Sequence, residues 1–203
     1  FIKRLIMKKI VFIVILAIVV PLIYLIFTNY NNIPKLDENV KEKWSQVQNQ
    51  YKRRADLIPN LVATVKGYAE HEKGTFVEVT EARSKVSQMN INADTLNNPA
   101  AMQQFADAQA GLSGALSKLM LVVEKYPELK ANENFMALQS QLEGTENRIT
   151  VARKDFIEAV KLYNLELRTM PGKLVAAIAH PSAQVKETFK ASEAEQEAPK
   201  VQF

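Results

Sequence analysis

Eighteen consecutive residues without a charge, Ile10 to Phe27 (IVFIVILAIVVPLIYLIF), constrain this chain more than anything else in it. At about 1.5 Å per residue, a helix of that length covers roughly 27 Å, close to the hydrocarbon thickness of a bilayer. Leu5 and Ile6 extend the apolar stretch, and Pro21 is tolerated near one end of a spanning helix. A secretory signal peptide is the rival reading. The run is long for one, however, and the following Phe-Thr-Asn-Tyr-Asn-Asn offers no small-residue cleavage site. A retained membrane anchor is the expectation. Met7, followed by Lys8-Lys9, reads as the natural start, with residues 1–6 an upstream extension.

Charge gives the anchor a direction. Lys3, Arg4, Lys8 and Lys9 precede the run and no acid does, so the positive-inside bias predicts a cytoplasmic N-terminus and a body on the far side. Removing those four from the 26 basic residues leaves 22, against 22 acidic ones. The body is therefore formally neutral, and the net charge of +4 belongs to the flank of one segment. A surface that tracks phosphates needs a local excess of Lys and Arg, so nucleic acid is not an expected partner. The absence of Cys excludes disulfides, a Cys-ligated zinc and a cysteine nucleophile. His71 and His180, the two histidines, supply little for metal binding or acid–base catalysis, and no cofactor is expected.

Beyond the anchor the apolar residues follow helical spacing. Asn31, Asn32 and Pro34 break the first helix, and Asp37 is available near the next N-terminus. Val40, Trp44, Val47, Tyr51, Ile58, Leu61, Val65 and Tyr68 then fall at alternating steps of four and three, with Arg54 as the one polar interruption. Phe76, Val79 and Val86 continue the pattern past Gly67 and Gly74, with a bend or break there. Residues 89–99 read as a connection. Phe105, Leu112, Leu116, Leu119, Val123 and Tyr126 mark a second helix that Pro127 ends. A third seam runs from Phe135 through Leu142, Thr145, Ile149, Ala152, Phe156 and Tyr163 to Met170. No stretch alternates with the period of a strand. The expected fold class is all-α: a transmembrane helix followed by an elongated antiparallel three-helix bundle, a short extra C-terminal helix and a flexible tail. In residue ranges this is a basic N-terminus (1–9), an anchor (10–27), a linker (28–36), the bundle (37–171), and a short helix with an acidic, polar tail (172–203).

Several polar groups could carry function, and each has a structural reading beside it. Arg53 and Asp56 are spaced for an exposed pair, or for a docking patch with Arg54. Arg54 on the seam needs a carboxylate, because an unpaired buried charge is very costly. If the first and third helices run parallel, equal distances place it near Glu143 or Glu146, and such a pair would fix register. Pro59 predicts a kink or a break just before it, and Pro59 and Asn60 lie in the 52–60 candidate contact region. Tyr126 and Pro127 open a turn that is the second candidate contact, at 126–135. Glu70-His71-Glu72 lacks the spacing of a metal motif, and His180 has no evident partner. Gly111 and Gly114, beside Ala110 and Ala115, offer a face that another helix can approach. Ser113, Ser117 and Ser140 have no neighbouring base, so no nucleophile is expected.

Two long stretches resemble the LemA family signature: WSQVQNQYKRRADLIPNLVATVKGYAEHE (Trp44–Glu72) and LSGALSKLMLVVEKYPELKANENFMALQSQLEGTENRI (Leu112–Ile149). The terminal EAPKVQF is similar too. The chain departs from the pattern at Phe156-Ile157 and at Met170-Pro171-Gly172, where Phe-Pro is common. The resemblance implies a bacterial single-pass membrane protein with a long helical bundle, and it implies no activity. The expected function is therefore a non-enzymatic scaffold of the cell envelope, anchored in the cytoplasmic (inner) membrane with its body periplasmic. Its expected partners are the lipid bilayer, an envelope or membrane protein, and a second copy of itself. The rival is an accessory subunit or hydrolase acting on envelope lipid or peptide, which needs a pocket that a narrow bundle rarely makes.

Overall fold

The computed structural model describes residues 2–89 and 92–189, and the acidic tail expected at 191–203 lies outside the described residues. The described residues are helical without strands, in line with the all-α reading. Helix α1 (Ile2–Asn29) carries the apolar run. It is long and apolar enough to cross a membrane, and none of its apolar window is buried against the rest of the chain. Large apolar side chains such as Phe12, Tyr24 and Phe27 are exposed along it, an arrangement suited to lipid and not to water.

Helix α2 (Asn32–Lys66) begins only two residues later, so the linker expected at 28–36 reduces to Tyr30 and Asn31. Pro34 does not prevent this, because it stands in the first turn, where its missing N–H has no helical partner to lose. Asp37 consequently lies inside the helix and is not its cap. Gly67 ends α2, and the chain reverses through residues 67–72, where the Tyr68 and Ala69 N–H groups both turn back to the Val65 carbonyl. Ala69 is 1% exposed and pins the turn to the core. Helix α3 (Lys73–Gln88) returns along α2.

A 3₁₀ turn (Ala93–Asn97) leads to α4 (Pro99–Val123). The Asn98 side chain caps α4 by accepting from the Ala100 and Ala101 N–H groups, with Pro99 in the first turn. The short α5 (Pro127–Lys130) precedes α6 (Glu133–Arg168), whose cap is the Asn132 side chain accepting from the Phe135 N–H at 3.0 Å. Helix α7 (Gly172–Ala179) follows a tight turn. A Cβ at Gly172 would collide with the Glu166 carbonyl and carboxyl, so glycine is what lets the chain fold back there.

The body thus has four long helices where three were expected. The reversal at 67–72 splits the first: Gly67 is a weak point for a helix, and burial of Ala69 in the core holds the chain turned there. It also inverts the expected orientation: α2 and α6 run antiparallel, not parallel. Trp44 meets Phe156, Arg54 meets Glu146 and Tyr68 meets Asn132, so numbers rise along one helix as they fall along the other. At about 1.5 Å per residue, α2 (35 residues) and α6 (36 residues) form a spine of roughly 50 Å.

Two cores line this spine. The one nearer α1 is aromatic: Trp44, Tyr51, Phe105, Phe156 and Tyr163 pack with Val40 and Leu96. The distal core is mostly aliphatic, with Ile58, Leu61, Val65, Leu112, Leu119 and Leu129 among its members and Phe76 and Phe135 as its buried rings. After α7, residues 180–189 form a strap across the aromatic end. Phe189 inserts among Trp44, Phe105 and Phe156, with ring centroids 5.7–6.3 Å apart. The Asn164 amide clasps the strap by bonding both the N–H and the carbonyl of Lys186. Lys186, itself buried, reaches Asp37 at 2.8 Å.

Candidate functional site

Arg54 sits between the two cores. Helical spacing puts it on the buried face of α2, and it is 2% exposed. Its Nη1 donates to Glu146 Oε1 and to Ser113 Oγ, each at 2.9 Å. Its Nη2 donates to the Gln109 side-chain oxygen and to the Gln109 carbonyl. One guanidinium therefore joins α2, α4 and α6 in a single polar layer. Tyr51, one turn before, stacks under it with the Arg54 guanidinium carbon 5.1 Å from the ring centre. Burial pushes the Tyr51 hydroxyl above its usual range, although Arg153 and Arg54 pull it down. Buried charges keep such partners because the interior offers no water to replace them.

Glu146 is the carboxylate of this layer. Glu143 points away, exposed, and accepts from Gln139. The pair arises although the helices are antiparallel, so the parallel counting that pointed to this stretch of α6 does not describe the packing. Arg53 and Asp56 are both exposed, and the pair expected between them does not form. Exposed pairs gain little over separate hydration, which accounts for its absence. Helix α2 continues through Pro59 without the break considered for it. The carbonyl that Pro59 cannot satisfy, that of Ala55, takes the Arg83 Nε–H from α3 at 2.8 Å. Asn60 is exposed, and its carbonyl accepts from Thr64. Tyr126 caps α5 and is half-buried, while Pro127 is exposed at its first position.

A groove of about 350 Å³ opens beside Arg54, between α4 and α6. Arg153, Asp107, Glu146, Ser113 and Phe189 line it. The Arg153 guanidinium lies 4.5 Å from the centre of the Phe189 ring. The Ser113 hydroxyl donates to the Gln109 carbonyl and accepts from Arg54, so its proton faces a main-chain oxygen and not a base. His71 is exposed at the 67–72 turn, and His180 faces the Tyr30 carbonyl at 2.9 Å. The layer can hold helices in register, and the groove can receive a polar or acidic chain. Gly111 and Gly114 face open space, where an added Cβ would meet nothing, so no helix among the described residues packs on them.

Spacing alone does not single out Gln109, the strap, or a structural role for Ser113. A signal for Gln109 did exist: it falls on the α4 seam between Phe105 and Leu112, as Arg54 does on α2 and Thr145 on α6. Arg54 and Gln109 meet in the layer, whereas Thr145 bonds the Gln141 carbonyl of its own helix and its neighbour Glu146 is the α6 member.

Fold and site together define an all-helical bundle carried on one apolar helix of membrane-spanning length. The LemA family model matches residues 43–203, and this chain belongs to that family. Among curated relatives, magnetosome protein MamQ 2 of Paramagnetospirillum magneticum is 25% identical over 177 residues, covering 79% of this chain and 65% of the relative. Magnetosome protein MamQ of Magnetospirillum gryphiswaldense is 24% identical over 165 residues, covering 73% of this chain and 61% of its own. Protein LemA of Metamycoplasma hominis is 24% identical over 170 residues, covering 83% and 74%. The matched region thus spans just under two thirds of the length of the MamQ relatives.

Proposed function

We propose that this LemA-family chain is a non-catalytic scaffold of the bacterial cell envelope. In this reading α1 is held in the cytoplasmic membrane with its N-terminus inside. The helical body stands on the other side and presents its faces to an envelope or membrane protein. The observation that carries this reading is mechanical. A helix fit for lipid passes within two residues into a helix of 35 residues, which is fixed about two thirds of the way along by a buried arginine bonded to two other helices. Such a body holds a bound partner some tens of ångströms from the lipid surface. The exposed Gly111/Gly114 face and the groove beside Arg54 are its candidate contacts, and the former also suits a second copy of the chain. Crosslinking in intact membranes followed by purification through the chain tests this reading. The expected result is a reproducible envelope complex lost when the groove or the glycine face is blocked by substitution. Turnover of an envelope lipid or peptide by the purified body, abolished by one point substitution, would contradict it.

A further inference from the structure

We propose that the end of the bundle nearest α1 is a foot that docks on an anionic lipid surface, an inference that rests on α1 being a membrane anchor. Because α6 runs antiparallel to α2, its C-terminal end returns to the level where α2 starts. The same register brings Met170 level with Tyr30, two residues beyond the end of α6. Met170 is 70% exposed, and Leu165 on the last turns of α6 is 52% exposed. Helix α7 buries Val175 in the aromatic core but leaves Ile178 60% exposed. His180, just past α7, ties this end to α1 through the Tyr30 carbonyl and ring. The foot is therefore continuous with the exposed Tyr24, Phe27 and Tyr30, aromatic residues at the depth where bilayer interfaces favour them.

Charge selects the surface. Three acids at this end are paired with bases: Asp37 with Lys41 and Lys186, Glu38 with Lys41, and Glu158 with Lys161. The Glu166 carboxyl is folded inward against Gly172, its Oε1 buried without a hydrogen-bond partner, so it does not face the surface of the foot. Lys35, Arg168 and Lys173 are exposed, and among the described residues they form no ion pair. Exposed apolar side chains rimmed by free bases are the chemistry of a peripheral contact with anionic headgroups. Water alone would leave Met170 and Ile178 as an unexplained apolar cluster.

The chain contains no cysteine, so single labels are direct. The full chain carrying Met170→Cys or Ile178→Cys, coupled to an environment-sensitive fluorophore, is reconstituted in phosphatidylglycerol-containing vesicles. Phe27→Cys and Val77→Cys serve as anchor and distal controls. The expected result is blue-shifted emission at 170 and 178, quenched by nitroxide lipids at headgroup depth, with Val77→Cys unshifted. Reversing Lys35, Arg168 and Lys173 to Glu together is expected to weaken that shift while the Phe27 label stays in the bilayer. Labels at 170 and 178 that report water, with the Phe27 label in lipid, would overturn the foot and leave the anchor standing. Blue-shifted labels that nitroxide lipids do not quench would also overturn it and point to a second copy. A Phe27 label in water would remove the anchor reading itself.

Discussion

The two halves of the bundle solve the same packing problem with different materials. The half near α1 lacks a full-length fourth helix, because α3 ends at Gln88 and the 3₁₀ turn, α7 and the strap fill its place. Short irregular pieces cannot interlock as regularly as helices, and this half is filled with large rings: Trp44, Tyr51, Phe105, Phe156, Tyr163 and Phe189. The distal half has α2, α3, α4 and α6 side by side and closes mainly with Leu, Ile and Val, with Phe76 and Phe135 as its two buried rings. Aromatic side chains bury more area per residue than aliphatic ones and tolerate edge-on contacts, which suits them to the irregular end. The Arg54 layer lies between the halves and belongs to neither.

This contrast can be broken at defined places. The largest effect is expected at Trp44. Trp44→Ala should cost about 3–5 kcal/mol, and Leu119→Ala in the distal core about 2–5 kcal/mol, measured by denaturant unfolding. Hydrogen exchange should show the loss from Trp44→Ala concentrated near α1 and the strap, and equal loss in both halves would mean there is one core. Next comes the layer. Arg54→Ala should cost about 2–4 kcal/mol, below the full penalty for a buried pair because Glu146 stays part-exposed and can be hydrated. Glu146→Gln should cost about 1–2 kcal/mol. Exchanging the charges, Arg54→Glu with Glu146→Arg, should recover only part of the loss, since a carboxylate at 54 would face the Gln109 carbonyl.

A smaller effect ties α3 to α2. Removing the Arg83 side chain (Arg83→Met) should cost about 1–2 kcal/mol by orphaning the Ala55 carbonyl. Pro59→Ala restores a helical donor for that carbonyl, so the cost of Arg83→Met should shrink in that background. An unchanged cost would show that the carbonyl is not what Arg83 serves. The smallest effect concerns pH. Burial alone would raise the Asp37 carboxyl, but its bonds to Lys186 and Lys41 prevail and hold it below its ordinary value of 3.8. A depressed carboxylate contributes stability above its unfolded value, and that contribution is lost as pH falls through the folded one. Stability should therefore drop below about pH 4, and Lys186→Met should flatten that part of the profile. The same Asp37 raises Lys41, by hydrogen bonding first and charge second.

Much of this architecture was legible in spacing alone. The positions read as the α2 seam, from Val40 through Val65, are buried, and so are the α6 positions from Leu142 to Tyr163. Tyr68 is the exception at 42% exposed, because the chain has already left the helix there. What spacing could not give was direction. Gly67 marks a weak point in a helix, but only tertiary contacts decide whether the chain bends or reverses there. Likewise the strap has no periodicity, and its hold depends on three distant rings and on Asn164. The Ala55–Arg83 bond was equally hidden, since it answers a deficit in α2 with a side chain from another helix. Of the candidate site, Arg54 was visible as a charge in an apolar series, whereas Gln109 and Ser113 are ordinary polar residues until α4 is placed beside it.

In the proposed arrangement one apolar helix holds this bundle at a membrane with its body beyond the cytoplasm. A single reactive site tests it: Val77→Cys, exposed at 55% on the distal half, in a chain otherwise free of cysteine. A membrane-impermeant maleimide is expected to label this site in intact cells whose outer barrier has been opened, and the labelled chain is expected to resist extraction by alkaline carbonate. Labelling only after lysis, or release of the chain by carbonate, would contradict it.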